Sequence, residues 1–126
     1  MSAGILEVDS IYKSFTTSQG VLPVIDRISF SQREGEVVSI VGASGSGKTT
    51  LLRILAGLEM PDSGSVSLAG KVVSGPGPER AMIFQQFGLM PWLSVLENVM
   101  FGLRPSGLAE EEMRARAADA IARVQL

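Results

Sequence analysis

The run from Gly42 to Thr49, GASGSGKT, constrains the fold of this chain more than any other part of the sequence. It matches the pattern G-x-x-x-x-G-K-[ST] at every fixed position. It also lies between an apolar segment and a segment with helical periodicity. Glycines let the backbone approach an oxygen-rich ligand closely, and the amides of such a loop converge on an anion. The run therefore predicts a phosphate-binding loop between a strand and a helix.

The loop residues have separate expected roles in binding a nucleoside triphosphate with its magnesium ion. Lys48 is expected to reach the β- and γ-phosphates, which makes it a catalytic candidate, and Thr49 to offer its hydroxyl to magnesium. A glycine-rich turn with an incidental lysine is the alternative, and the strand and helix on either side disfavour it. The expected nucleotide-binding residues of the loop are Gly42, Ser44, Gly45, Ser46, Gly47, Lys48, Thr49 and Thr50.

The segments beside the loop predict an α/β chain. Residues Glu36–Val41 are almost continuously apolar, as in a strand covered on both faces of a parallel sheet. Residues Lys48–Leu58 carry leucines at helical spacing, and Gly57 with Pro61 predicts the end of this helix.

Shorter strands are predicted on both sides of this core. Ile5–Ile11 and Val24–Phe30 alternate apolar and polar residues, and the polar stretch Thr16–Gly20 between them reads as a turn. They predict an antiparallel pair. Ser65–Leu68 and Ala81–Phe84 are further strand candidates.

Two helices are predicted near the end of the sequence. Ser94 and Glu97 have the spacing of a capping box that opens a helix toward Phe101. Residues Ala109–Val124 form the second helix, with acidic residues in its first turn and an apolar stripe along one face. We expect this stripe to dock on a surface outside these 126 residues.

Composition excludes several classes of function. Cysteine and histidine are absent, which removes disulfides and both thiolate and imidazole metal ligands. The net charge of -2 gives no general attraction to nucleic acid, so no such partner is expected. The start of the chain does not have the pattern of a secretion signal.

The sequence around the loop resembles the ATP-binding subunits of ABC transporters. The resemblance runs from Glu34 through the loop to Gly64, and resumes at Ile83-Phe84-Gln85-Gln86-Phe87 and the residues after it. It makes Gln85 the Q-loop residue, a magnesium ligand and second catalytic candidate. Without the resemblance, Gln85 would read as a polar residue at a strand end.

Two aromatic residues take roles from the same resemblance. Phe15 matches the position that stacks on adenine, with Tyr12 as the alternative, although an ordinary core aromatic is equally compatible with the sequence. Pro91-Trp92 resembles the subgroup that serves nitrate, sulfonate, taurine or bicarbonate-type importers. There, Trp92 would lie near the docking surface for the membrane subunit, with simple core packing as the alternative.

The resemblance implies a P-loop NTPase of the ABC ATPase type, present as an incomplete domain. We expect an antiparallel β segment over about residues 1–35, a P-loop core over 36–93 and the start of a helical subdomain over 94–126. The family's signature loop, Walker B aspartate, catalytic glutamate and switch histidine are absent from the 126 residues. The chain alone is therefore expected to be inactive or nearly so.

The implied function is ATP binding and, in a complete protein, ATP hydrolysis that energises solute import. The implied partners are a membrane subunit, a second ATP-binding subunit in a homodimer and, indirectly, a periplasmic or extracellular solute-binding protein. The expected location is peripheral, on the cytoplasmic face of the inner membrane. A nucleotide-binding regulatory fragment without turnover and a small P-loop kinase are the alternatives. The Q-loop match argues against the kinase.

Overall fold

The computed structural model describes residues 5–86 and 88–125. They belong to two compact units, Met1–Ile83 and Phe84–Leu126. Phe87, in the second segment of the family resemblance, lies outside the described residues.

The first unit is built on an antiparallel sheet. Its described strands are β1 (Leu6–Thr17), β2 (Gly20–Gln32), β3 (Ser63–Leu68) and β4 (Lys71–Val72), in the spatial order β2-β1-β3-β4. The predicted N-terminal antiparallel pair is confirmed. Both strands run further than predicted because the ladder stays paired up to the tight turn, where Thr17 faces Gly20.

One helix, α1 (Lys48–Leu55), packs on this sheet. Leu51 and Ile54 are its buried residues, because they lie three apart and so share one face of the helix. The core they join also contains Val8, Ile11, Ile25, Val66 and Val73.

The helix ends earlier than the sequence predicted. The amide of Leu58 donates to the carbonyl of Arg53, and the amide of Gly57 to that of Ile54, which is the hydrogen-bond pattern of a Schellman motif. Gly57 has a φ of +75°, so the predicted stop is confirmed, whereas the inclusion of Leu58 was wrong. A Cβ at position 57 would overlap the backbone of Gly75, so the two segments meet without an intervening side chain.

Two predicted strands are not formed. Residues 36–41 and 81–84, all of them described, are in neither strand nor helix. Val37, Val41 and Ile83 are 89%, 92% and 97% exposed. A strand of a parallel sheet needs hydrogen-bonded neighbours, and no described strand pairs with either segment. Apolar composition alone was therefore insufficient to predict strands here.

The second unit is helical. It contains α2 (Val95–Phe101), a short 3₁₀ helix (Arg104–Ser106) and α3 (Glu110–Arg123), and α2 and α3 pack on each other. The capping box is confirmed: the Ser94 amide donates to a Glu97 carboxylate oxygen at 2.8 Å, and the Glu97 amide to the Ser94 hydroxyl at 3.3 Å. None of the helices in the described ranges is both long and apolar enough to cross a bilayer.

The apolar stripe of α3 is buried only in part. Ala117 is fully buried, whereas Val124 is 65% exposed. The predicted docking of this stripe on a surface outside the chain stays a prediction.

Candidate phosphate-binding site

The loop from Gly42 to Thr49 turns into α1 through a left-handed residue. Gly47 is the N-cap of α1 with a φ of +92°, a conformation that side-chain-bearing residues rarely adopt. A Cβ at this position would lie 2.8 Å from the carbonyl oxygen of Val24. The glycine therefore permits both the turn and a direct contact between the loop and β2.

The N-terminus of α1 has the chemistry of an anion site. Among the described residues, no side chain caps this helix, and its first turn contains no acidic residue. The first helical hydrogen bond runs from the Leu51 amide to the Gly47 carbonyl at 2.9 Å. The amides of residues 48–50 precede that bond, and α-helix geometry gives them no partner within the helix. Together with the helix dipole, these amides favour a negatively charged ligand.

A pocket of about 190 Å³ lies at this helix end. It is lined by Gly45, Ser46, Gly47, Lys48, Thr49 and Thr50, all predicted binding residues, together with Val24 of β2. Gly42 and Ser44 belong to the same loop, but they are outside the lining. No pattern in the sequence marks Val24 as a site residue, because it reads as an ordinary strand residue.

The Lys48 ammonium bonds to the loop itself. It donates to the carbonyl oxygens of Gly42 at 2.8 Å and Ala43 at 2.6 Å, and lies 3.4 Å from the Ser46 hydroxyl. Through these hydrogen bonds, Lys48 stabilises the observed conformation of the loop. Its predicted contact with the β- and γ-phosphates stays a prediction.

The predicted magnesium ligands lie in different units. Thr49 is at the start of α1, and Gln85 is in an exposed bend of the second unit. Their hydroxyl and amide oxygens are of the type that magnesium accepts, in combination with phosphate oxygens. Elsewhere in the described residues there is no cluster of acidic, histidine or cysteine side chains suited to a metal ion.

Phe15 lies on β1, and its partner in β2 is two residues before Val24, the residue that contacts Gly47. It pairs with Leu22, its side chain is 39% exposed, and it is not among the described residues that line the pocket. The ammonium of Lys13 is 5.2 Å from its ring centroid. Tyr12, the alternative for adenine stacking, pairs with Ser63 of β3 and is partly buried. The choice between the two aromatics stays a prediction.

Sequence reasoning missed a charged cluster beside Phe15. Lys13 donates to Glu59 at 2.8 Å, to the carbonyl of Met60 at 2.8 Å and to Asp62 at 3.2 Å. The backbone and hydroxyl of Ser14 also donate to Asp62, at 2.8 and 2.9 Å. These two bonds, followed by the Lys13 contact, lower the pKa of Asp62, while the hydrogen bond to Glu59 raises the pKa of Lys13. We call Lys13, Glu59, Met60 and Asp62 the Lys13 clamp.

Trp92 lies in a turn of the second unit. Its side chain is 76% exposed, so the core-packing alternative is wrong for the described structure. Beside it is an apolar pocket of about 430 Å³, lined by Leu89, Met90, Pro91, Leu93, Val95, Asn98 and Val99. The Asn98 side chain fixes this turn: its amide group donates to the carbonyls of Met90 and Leu93, and its oxygen accepts from the Met90 amide.

The sequence is similar to import ATP-binding proteins. It is 46% identical over 112 residues to the taurine import ATP-binding protein TauB of Burkholderia pseudomallei, covering 89% of this chain and 43% of that protein. It is 43% identical over 107 residues to the nitrate import ATP-binding protein NrtD of Synechocystis, covering 85% of this chain and 40% of that protein. The chain thus spans less than half the length of these relatives.

The structure is similar to solved ATP-binding cassettes. A dimeric post-hydrolysis structure of the cassette MJ0796 bound to ADP and Pi superposes with a TM-score of 0.84 at 28% identity, covering 96% of this chain and 57% of that one. This similarity confirms the fold class predicted from sequence. The family model described as "ABC transporter" matches residues 25–126, which include the loop, α1 and the whole second unit. The chain therefore belongs to the ABC transporter family.

Proposed function

We propose that the pocket at the N-terminus of α1 binds the phosphates of ATP together with Mg²⁺. The observation that carries this proposal is the convergence of a glycine-rich loop and an uncapped helix N-terminus on one small pocket, whose lining includes Lys48. Each of these features attracts a polyanion, and they act on the same volume.

Specific residues have specific roles in this proposal. The amides of residues 45–50 surround the phosphates, and Lys48 moves from the loop carbonyls to the β- and γ-phosphates. The Thr49 hydroxyl and the Gln85 amide oxygen coordinate Mg²⁺. Phe15 stacks on the adenine. Bound Mg²⁺ would neutralise phosphate charge, a recurring part of phosphoryl transfer.

The longer protein in which such a chain functions would hydrolyse ATP to energise solute import. The support is family membership and the similarity to import ATP-binding proteins for taurine and nitrate. The partners would be a membrane subunit docking near Trp92, a second ATP-binding subunit and, indirectly, a solute-binding protein. The location would be the cytoplasmic face of the inner membrane. ATP-dependent phosphate release by that protein would separate this role from binding without turnover.

Titration calorimetry of the full chain with MgATP tests the binding proposal. The wild-type chain is expected to release heat with one site per chain. Lys48→Ala should weaken binding about 10- to 100-fold, because a hydrogen bond to a charged group contributes about 1.5–3 kcal/mol. Lys71→Ala is the matched control, because Lys71 lies in β4 and does not line the pocket.

Two outcomes would contradict the proposal. One is a folded wild-type chain that gives no heat with MgATP. The other is equal weakening by Lys48→Ala and Lys71→Ala, which would show that general positive charge, and not the loop lysine, determines the affinity.

A further inference from the structure

We propose that Lys13 is a positioning residue for the adenine-stacking ring, and that the Lys13 clamp sets the distance between this ring and the phosphate loop. The inference rests on the proposed function, because it assigns a role to residues around the same nucleotide. None of these clamp residues belongs to the phosphate loop or to the expected Q-loop.

The Lys13 ammonium is held in one place. A lysine ammonium has three N–H donors. Here their acceptors are a Glu59 carboxylate oxygen, the Met60 carbonyl and an Asp62 carboxylate oxygen. The Lys13 side chain is only 11% exposed. An ammonium bonded to three acceptors in a partly buried position cannot move without breaking charge-assisted hydrogen bonds, so its place relative to the backbone is fixed.

The fixed ammonium also contacts the Phe15 ring. The distance from Nζ to the ring centroid is 5.2 Å, within the range of a cation–π interaction. Phe15 is 39% exposed, so the ring is supported by the cation while part of it remains accessible to a planar ligand. An aromatic ring held in this way loses little conformational freedom when a base stacks on it.

The clamp lies opposite the point where the phosphate loop contacts the sheet. The β1–β2 ladder is irregular between Lys13, which pairs with Ile25, and Ser14, which pairs with Pro23. Val24 lies between these two partners, and it is the residue on which Gly47 packs. The extra residue of this irregularity is therefore Val24 in β2, which meets Gly47, while Lys13 of the clamp is on the β1 side of the same irregularity.

The clamp reaches the end of α1 as well. Glu59, Met60 and Asp62 follow directly after the Schellman motif that ends this helix, whose first residues line the phosphate pocket. Phe15 is thus connected along the chain to both ends of α1: its ladder partner Leu22 is two residues from Val24 at the start, and Lys13 of the clamp is two residues away on β1. This connection fits a ligand with a flat base at one end and a polyphosphate at the other.

The test measures the preference for ATP over magnesium tripolyphosphate, which presents phosphates without a base. In the full chain, Lys13→Met should weaken ATP binding about three- to tenfold, the range that one aromatic stacking contact represents, and leave tripolyphosphate binding unchanged. Asp62→Asn should likewise weaken ATP binding without changing tripolyphosphate binding, and it provides a second test if Lys13→Met fails to fold. Lys71→Met is the matched lysine control and should change neither ligand's affinity.

A double-variant comparison separates positioning from a general structural role. If Lys13 acts through Phe15, then Lys13→Met should cause no further loss of ATP preference in a Phe15→Leu background. Equal weakening of ATP and tripolyphosphate, or an unchanged preference in both Lys13→Met and Asp62→Asn, would refute the inference alone. A wild-type chain that binds neither ligand would refute the proposed function and this inference with it.

Discussion

The contact between Gly47 and β2 leads to a quantitative prediction for Gly47→Ala. The new methyl group would lie 2.8 Å from the Val24 carbonyl oxygen and 2.9 Å from the Val24 Cγ1, at a backbone φ of +92°. A side chain in a left-handed conformation costs about 1–2 kcal/mol. Overpacking against a fixed neighbour adds about 1–3 kcal/mol. The substitution should therefore lower the free energy of unfolding by about 2–5 kcal/mol.

Gly45→Ala is the matched control in the same loop. Gly45 has a φ of +78°, but no described atom lies within 4 Å of a Cβ built at this position. It should therefore suffer the backbone strain without the overpacking. The difference between the two variants isolates the contact with Val24.

Urea unfolding of both variants measures this difference. With an m value of about 1–3 kcal/mol/M, the midpoint of Gly47→Ala should lie on the order of 1 M urea below that of Gly45→Ala. Adding Val24→Ala to the Gly47→Ala chain should restore part of the loss, because Cγ1 is removed while the carbonyl remains. Equal midpoints for the two single variants would refute the proposed loop-to-strand contact.

Three further predictions concern other parts of the chain. The pKa of Asp62 is lowered in the folded chain from its usual 3.8, so stability that is present above pH 3.8 should be lost as the pH falls below it. Asp62→Asn should reduce the dependence of the urea midpoint on pH below pH 3.8. A variant with the same slope as the wild-type chain would contradict this prediction. Asn98→Ala should lower the free energy of unfolding by about 1–3 kcal/mol, because it leaves backbone groups of the Trp92 turn unpaired. The control Arg116→Ala removes only a surface ion pair on α3 and should lower the free energy of unfolding by less than about 1 kcal/mol. In a protein that hydrolyses ATP, Gln85→Ala should leave nucleotide affinity largely unchanged and reduce turnover, and undiminished phosphate release would count against its catalytic role.

Features encoded by neighbouring residues were predicted well. The glycine turn at Gly47 into the start of α1 and the capping box at Ser94 each depend on residues within a few positions of one another. Turn and cap chemistry acts over that range, so the sequence pattern contains the physical cause. The stop at Gly57 was predicted for the same reason, although the last helical residue is Leu55 and not Leu58.

Features that depend on distant partners were not predicted. Residues 36–41 have the composition of a buried strand, but a strand forms only where neighbours supply hydrogen bonds. The Lys13 clamp joins residues 46 to 49 positions apart, and none of them is unusual on its own. Val24 lines the pocket only because β2 passes beside Gly47.

The backbone contact between Gly57 and Gly75 has a mechanical consequence. Side chains usually absorb small movements between packed segments by changing rotamer, but neither glycine has a rotamer to change. A displacement of the segment around Gly75 would therefore act directly on the backbone at the end of α1. Arg80, whose guanidinium donates to the Gly75 carbonyl, links the same segment to residue 80. Motion in the segment that precedes Gln85 would in this way reach the helix that begins at the phosphate loop.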